Sequence, residues 1–189
     1  VDYAETMDLL RGHATATARA AKIVGKHTKV AGEYAFMAGL LHDVGIAGTL
    51  LALSDRKGKR REPPDLVAIW PALDRVHQRA GELMAAHWDL PEDIRRAVTA
   101  HHQVLVGGEA DLLAATICVA DEVVHELGRG VIPKGDEGSD MARDCVRSHT
   151  SVDRSSPRTL EHARTALELD EAGFAAMREK VSNALTESA

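Results

Sequence analysis

At 189 residues, 44% of them hydrophobic and 28% charged, the chain suits one soluble globular domain with a core of its own, and neither a disordered nor a fibrous protein. Its longest apolar runs read as too short to span a bilayer, and its formal charge of -6 argues against nonspecific nucleic-acid binding. Aromatics are scarce at 3%, and apolar residues recur at three and four positions, which predicts an all-α fold and no credible strand.

Taken in chain order, the first predicted helix runs from Tyr3 to Lys26, and its stripe of Leu10, His13, Thr17, Ala20 and Val24 puts His13 on the inward face. The second runs from Ala31 to His42. Phe36 to Leu41 read as core, the helix ends on His42 and Asp43, and Gly45 reads as the break. A basic stretch follows, with Arg56, Lys57, Lys59, Arg60 and Arg61 in SDRKGKRRE. Helices are next expected from Asp65 to Val76 and from His77 to Trp88, where Leu73, Val76, His77, Ala80 and Met84 form a stripe. Pro91 in LPEDI is placed as a first helical residue with acids behind it. The helix it opens, to His102, carries Ile94 and Val98 and then His101 and His102. From Asp111 to Leu127 a further helix sets Asp121 four residues after Ile117 and three before Val124.

Gly128 to Asp140 is rich in glycine and charge and reads as a loop, and Thr159 to Leu167 and Asp170 to Leu185 read as the last helices. The expected organisation is a helical core over residues 1–127, a flexible loop region over 128–158 and C-terminal helices over 159–189 packing on the core. Cys118 and Cys145 have no zinc-clip or disulfide spacing, which points to a reducing cytoplasm. The chain starts at Val1 with no secretion signal, so a piece of a longer protein is expected.

Burying an ionisable group is costly without a partner, so polar residues on buried stripes single themselves out. They are His13, His42, Asp43, His77, His101, His102 and Asp121. Imidazoles and carboxylates are the ligands of Zn, Fe, Mn and Ni centres, and a carboxylate with two oxygens can bridge two ions, the role assigned to Asp43. Adjacent helical residues point about 100° apart, so His42 and Asp43 can reach one metal only where the helix ends. A single histidine on an apolar stripe is more often a core residue satisfied by a backbone carbonyl. Agreement between separate helices is far harder to obtain by accident. His27, His87, His125, His149 and His162 keep the ordinary reading, with His125, four residues after Asp121, the best placed to support a ligand.

HATATARAA from His13, FMAGLLHDVG from Phe36, VHQRAGELMAAHWDLPEDIRRAVTAHH from Val76 and LLAATICVADEV from Leu112 together resemble the HD superfamily, and most closely its HDOD branch. The resemblance implies a compact bundle of helices, about seven or eight on this reading. It implies one metal held by His13, His42, Asp43 and Asp121, and a second sharing Asp43 with His77 and His101. His102 matches the histidine that in the related HD-GYP phosphodiesterases helps hold a third ion or contacts phosphate, so Asp43 and His102 are the expected catalytic residues. The glutamate of such a third site is Leu9 here, so two divalent transition-metal ions (Fe, Mn, Ni or Zn) are expected.

HD-GYP enzymes carry a phosphate-binding lysine where this chain has Ile46, and a GYP loop where it runs HHQVLVGGEADLL. The reading is therefore a phosphohydrolase of a nucleotide or signalling phosphoester, with a phosphorylated small molecule as partner and neither membrane nor nucleic acid. Two alternatives stay open: a non-catalytic HDOD output module that contacts signalling proteins, and an HD-type di-iron oxygenase.

Overall fold

The computed structural model describes residues 3–55, 64–131 and 156–187. The basic stretch Arg56 to Arg61, Cys145, His149 and most of the predicted loop lie outside the described residues. The fold is all-α. Its helices are α1 (Ala4–Gly25), α2 (Gly32–Leu41), α3 (Val44–Ser54), α4 (Leu66–His87), α5 (Glu92–Ala100), α6 (Leu112–Glu126), α7 (Pro157–Ala166) and α8 (Glu171–Thr186). Helix starts follow their capping residues: Asp65 accepts from Ala68 N–H, Asp111 from Leu113 and Ala114 N–H, Ser156 from Thr159 N–H and Asp170 from Gly173 N–H. Pro91 is the residue before α5 rather than its first, with an extended backbone (ψ 145°).

Two cores are built on these helices. The larger packs α1, α2, α5, α6, α7 and α8 around Val24, Ile94, Val98, Ile117, Val119 and Phe174. The smaller joins Tyr3 and Leu10 to Ile46 and Leu50 of α3 and Trp70 and Leu73 of α4, with Val131 from beyond α6. Along α1 the chain leaves the smaller core at Leu10 and enters the larger at Ala16. Between α2 and α3 it passes from Ala38 in one to Ile46 in the other. His13 and the His42–Asp43 pair occupy those changeovers.

Several expectations are corrected. Asp65 to Trp88 forms one helix, α4, not two, and its buried stripe is Trp70, Leu73, His77, Gly81 and Ala85, with Val76 exposed. Gly45 does not end a helix: α2 stops at Leu41 and α3 restarts at Val44. What Gly45 provides is contact, since a Cβ there would lie 1.9 Å from the His77 carbonyl oxygen and 2.6 Å from Gly81 N. Phe36, Met37 and Leu40 are not core but 36%, 45% and 41% exposed, and the small residues Ala35, Ala38 and Gly39 are what α2 buries.

A two-stranded antiparallel ribbon, β1 (Leu105–Val106) and β2 (Glu109–Ala110), stands where no strand was expected. Gly107 and Gly108, at φ 63° and 90°, make its two-residue turn, in which both central residues need positive φ. As a string, Gly32–Ser54 is apolar enough to cross a membrane (mean hydropathy 1.6), contrary to the expectation that every apolar run is too short. In the fold it is two helices of 10 and 11 residues that meet at a buried His-Asp pair. Each is about 15 Å long, half the thickness of a hydrocarbon core.

Candidate metal centre

Helix ends and helix middles both deliver ligands to one place. His13 projects from α1, His77 from α4 and Asp121 from α6, each on the buried stripe that carries its helix into the core. His42 and Asp43 occupy the turn between α2 and α3, and His101 follows the last residue of α5. All six are buried, in an all-helical interior where an unpartnered charge would be strongly destabilising.

The outer edge of each imidazole is fixed by backbone. Nδ1–H donates to Gly39 O from His42 (2.9 Å), to Asp74 O from His77 (2.6 Å), to Val98 O from His101 (2.8 Å) and to Arg129 O from His13 (2.9 Å). A carbonyl can only accept, so Nδ1 carries the proton, and a neutral ring then presents a lone pair at Nε2. All four Nε2 atoms face inward. Those of His13 and His42 stand 3.3 Å apart, and those of His77 and His101 3.4 Å. Two lone pairs facing each other at that distance call for a positive charge between them.

Asp43 divides the four rings into two sets. Its Oδ2 is 3.2 Å from His42 Nε2 and 3.6 Å from His13 Nε2, and its Oδ1 is 3.6 Å from His101 Nε2 and 3.8 Å from His77 Nε2. Asp121 Oδ1 joins the first set, 3.0 Å from His13 Nε2 and 3.6 Å from His42 Nε2. Two donors each about 2.1 Å from one ion stand roughly 3.0 to 3.4 Å apart between right-angle and tetrahedral geometry, a range that the 3.0 and 3.2 Å spacings meet and the 3.6 to 3.8 Å ones exceed by a few tenths of an ångström. Buried Asp43 Oδ1 and Asp121 Oδ1 also lack a donor in hydrogen-bonding geometry, as oxygens that await a cation would.

Electrostatics agree. Burial alone would raise the Asp43 carboxyl, but His42 and then His101 hold it well below the usual carboxylate range. Asp121 is likewise held well below that range, against burial, by His125, His13 and His42. Burial pushes His101 down, and in His102 burial together with His101 and His77 pushes the pKa well below the ordinary value. His42 goes the other way: Asp43 and Asp121 outweigh its burial and raise it well above that value. The site therefore holds ionised carboxylates, with burial favouring the neutral form of His101 and His102, and ligation needs both of these states.

Of the sequence-predicted residues, His13, His42, Asp43, His77, His101 and Asp121 come together, and His102 stands beside them, its ring centroid 4.1 Å from that of His101 and 5.3 Å from that of His77. A ligand atom from each of Asp43, His77, His101 and His102 lies within 4.8 Å of the others. His125, given only an outside chance by sequence, joins the group, with Nε2 3.5 Å from Asp121 Oδ1. The spacing of four from Asp121 was the available signal, because such residues share a helix face. His27, His87 and His162 are exposed. Ile46 is buried at 1% exposure in the smaller core, in the cluster that holds Leu50 and Trp70.

Two clefts are relevant. One, of about 700 Å³, is lined by Lys29, Tyr34, Arg96, Glu109, Asp111 and their neighbours and includes none of the seven candidates. A smaller one of about 160 Å³ between α1, α2 and α3 includes Asp43, with Arg11, Leu10, Leu40 and Val44 around it. Small as it is, that second cleft bears on the chemistry.

The HDOD domain family matches residues 2–104, a span that holds every candidate except Asp121 and His125. No curated protein matches. Among solved structures, an HDOD domain protein of unknown function from Geobacter sulfurreducens is similar, at 20% identity and a TM-score of 0.46. The alignment covers 91% of this chain but 61% of that one, so the chain spans under two thirds of its neighbour's length. With more than half of its length matched, the chain belongs to the HDOD family.

Proposed function

We propose that the chain is a dinuclear metal-dependent phosphohydrolase acting on a nucleotide or signalling phosphoester. The observation that carries this reading is the division of labour within Asp43, whose Oδ2 faces His13 and His42 while Oδ1 faces His77 and His101. His13, His42, Asp43 and Asp121 would hold one divalent ion (Fe, Mn, Ni or Zn), and Asp43, His77 and His101 a second. Such a pair would supply Lewis acidity toward phosphate oxygens and would lower the pKa of water toward neutrality.

The chain's own groups do the rest. Four backbone carbonyls fix the rings, so the Nε2 atoms need no reorganisation on loading. His102, kept neutral by burial, is placed to take a proton or to meet a phosphate oxygen. Arg11, in the cleft that reaches Asp43, offers a cation in place of the lysine absent at Ile46. The reading suits a reducing cytoplasm, with the described thiol, Cys118, buried.

Metal-loaded protein assayed against a model phosphodiester and a panel of nucleotides tests the proposal. Turnover that Asp43→Ala abolishes is expected; no turnover, or equal turnover by the variant, would contradict it. A second reading, a module that signals by contact, draws on the apolar face of Phe36, Met37 and Leu40. It requires that Asp43→Ala leave the cellular phenotype intact.

A further inference from the structure

One imidazole beside the centre has no role in that reading. His125 lies one turn after Asp121 on α6, so the two side chains share a face. Its Nε2 is 3.5 Å from Asp121 Oδ1, and its ring centroid is 5.0 Å from that of His13. A ligand atom from each of His13, Asp121 and His125 lies within 4.8 Å of the others, as is also true of His13, His42 and Asp43.

Backbone holds the far edge of the ring in place. A Cβ at residue 130 would meet His125 Nδ1 at 2.7 Å and Cε1 at 3.0 Å, so glycine there lets the chain after α6 lie against the imidazole. The same segment gives the Arg129 carbonyl to His13. His125 thus turns Nδ1 toward Gly130 and Nε2 toward the carboxylate it shares with His13.

We propose that His125 is a further metal ligand on the His13–Asp121 side of the centre, an inference that rests on the metal reading above. The halves of the centre are then unequal. The first would gain His125 beside His13 and Asp121, and the second would draw on Asp43, His77, His101 and His102. A half with more protein donors keeps fewer positions for water or an anion, so exchangeable ligands belong to the His77–His101 side.

The test uses Zn²⁺ as the probe. Metal-free protein labelled with nitrogen-15 histidine is titrated with Zn²⁺ at about pH 7.5, where imidazole ligands are neutral, and the ring nitrogens are followed by NMR. The His125 ligating nitrogen is expected to move to a metal-bound position in the same step as that of His13. His125 unmoved while His13 shifts overturns the proposal and leaves the metal reading standing; no imidazole shifting overturns both. In a chelator competition, His125→Gln should weaken one Zn²⁺ equivalent by about 10-fold or more, with exposed His162→Gln as the control. Unchanged affinity in His125→Gln also overturns the proposal.

Discussion

Each buried imidazole of the centre has two edges with different duties. The carbonyl that satisfies Nδ1 is the ordinary fate of a core histidine, and it is also what turns Nε2 inward. The backbone hydrogen bond of a core histidine and a ligand role are therefore compatible in His13 and His77, since the first uses Nδ1 and leaves Nε2 facing the cluster. The metal-free chain should show this in its pH dependence. Burial lowers His101, His102 and His125, so the unfolded chain takes up protons below about pH 6.5 that the fold refuses, and stability falls from there as pH drops. Asp43 and Asp121, held low by neighbouring histidines, contribute above about pH 3.9 and lose that contribution as pH falls through their folded pKa. His42, raised by Asp43 and Asp121, opposes the trend: its contribution is complete below about 6.5 and fades as pH rises through its folded value. With three lowered histidines against one raised, the urea midpoint of metal-free protein should fall between about pH 6.5 and 4.5. A midpoint that climbs over that range would contradict the assignment. At position 46 the expectation is structural. Ile46→Lys supplies the lysine that HD-GYP enzymes carry but buries a charge beside Leu50 and Trp70, which should cost about 3 kcal/mol or more and yield no better phosphate binding, by denaturant melts and phosphate titration.

At the scale of elements, the decisive junction is α2–α3. α3 lies against α4 with no room for a side chain at Gly45, so Gly45→Ala must push the helices apart. A loss of about 1–3 kcal/mol is expected, with lower metal content because the shift moves His77 relative to Asp43. A variant with wild-type stability and metal content would show the contact to be dispensable. This junction is also where sequence reading stopped short. A glycine after His-Asp carries the same local signal whether it ends a helix or admits a neighbouring backbone, and only packing against α4 decides. The histidine stripes were legible because burial repeats with the helical period. The inward side of α2 was not, since large apolar residues lie outward and small ones inward. The Gly107–Gly108 turn between apolar Val106 and the Glu109–Ala110 strand was a readable hairpin signal, hidden by the expectation of helices alone.

Over the whole molecule the centre forms a seam between two cores. His13 on α1, the His42–Asp43 turn, His77 on α4, His101 beyond α5 and Asp121 on α6 bring together helices of both clusters, with α1 running through the two. An ion that binds the folded chain alone stabilises all of it, by about 4 kcal/mol at a free concentration 1,000 times its Kd. Chelation should therefore lower the melting temperature of the whole described domain in a single transition. Elemental analysis of protein purified without added metal or chelator is the most direct test of the two-sided carboxylate. Two equivalents of transition metal per chain are expected, falling to one or none in Asp43→Asn, which keeps the shape of the side chain and removes its charge. Metal-free wild-type protein that takes up no ion on reconstitution, or an Asp43→Asn variant that still holds two, would contradict it.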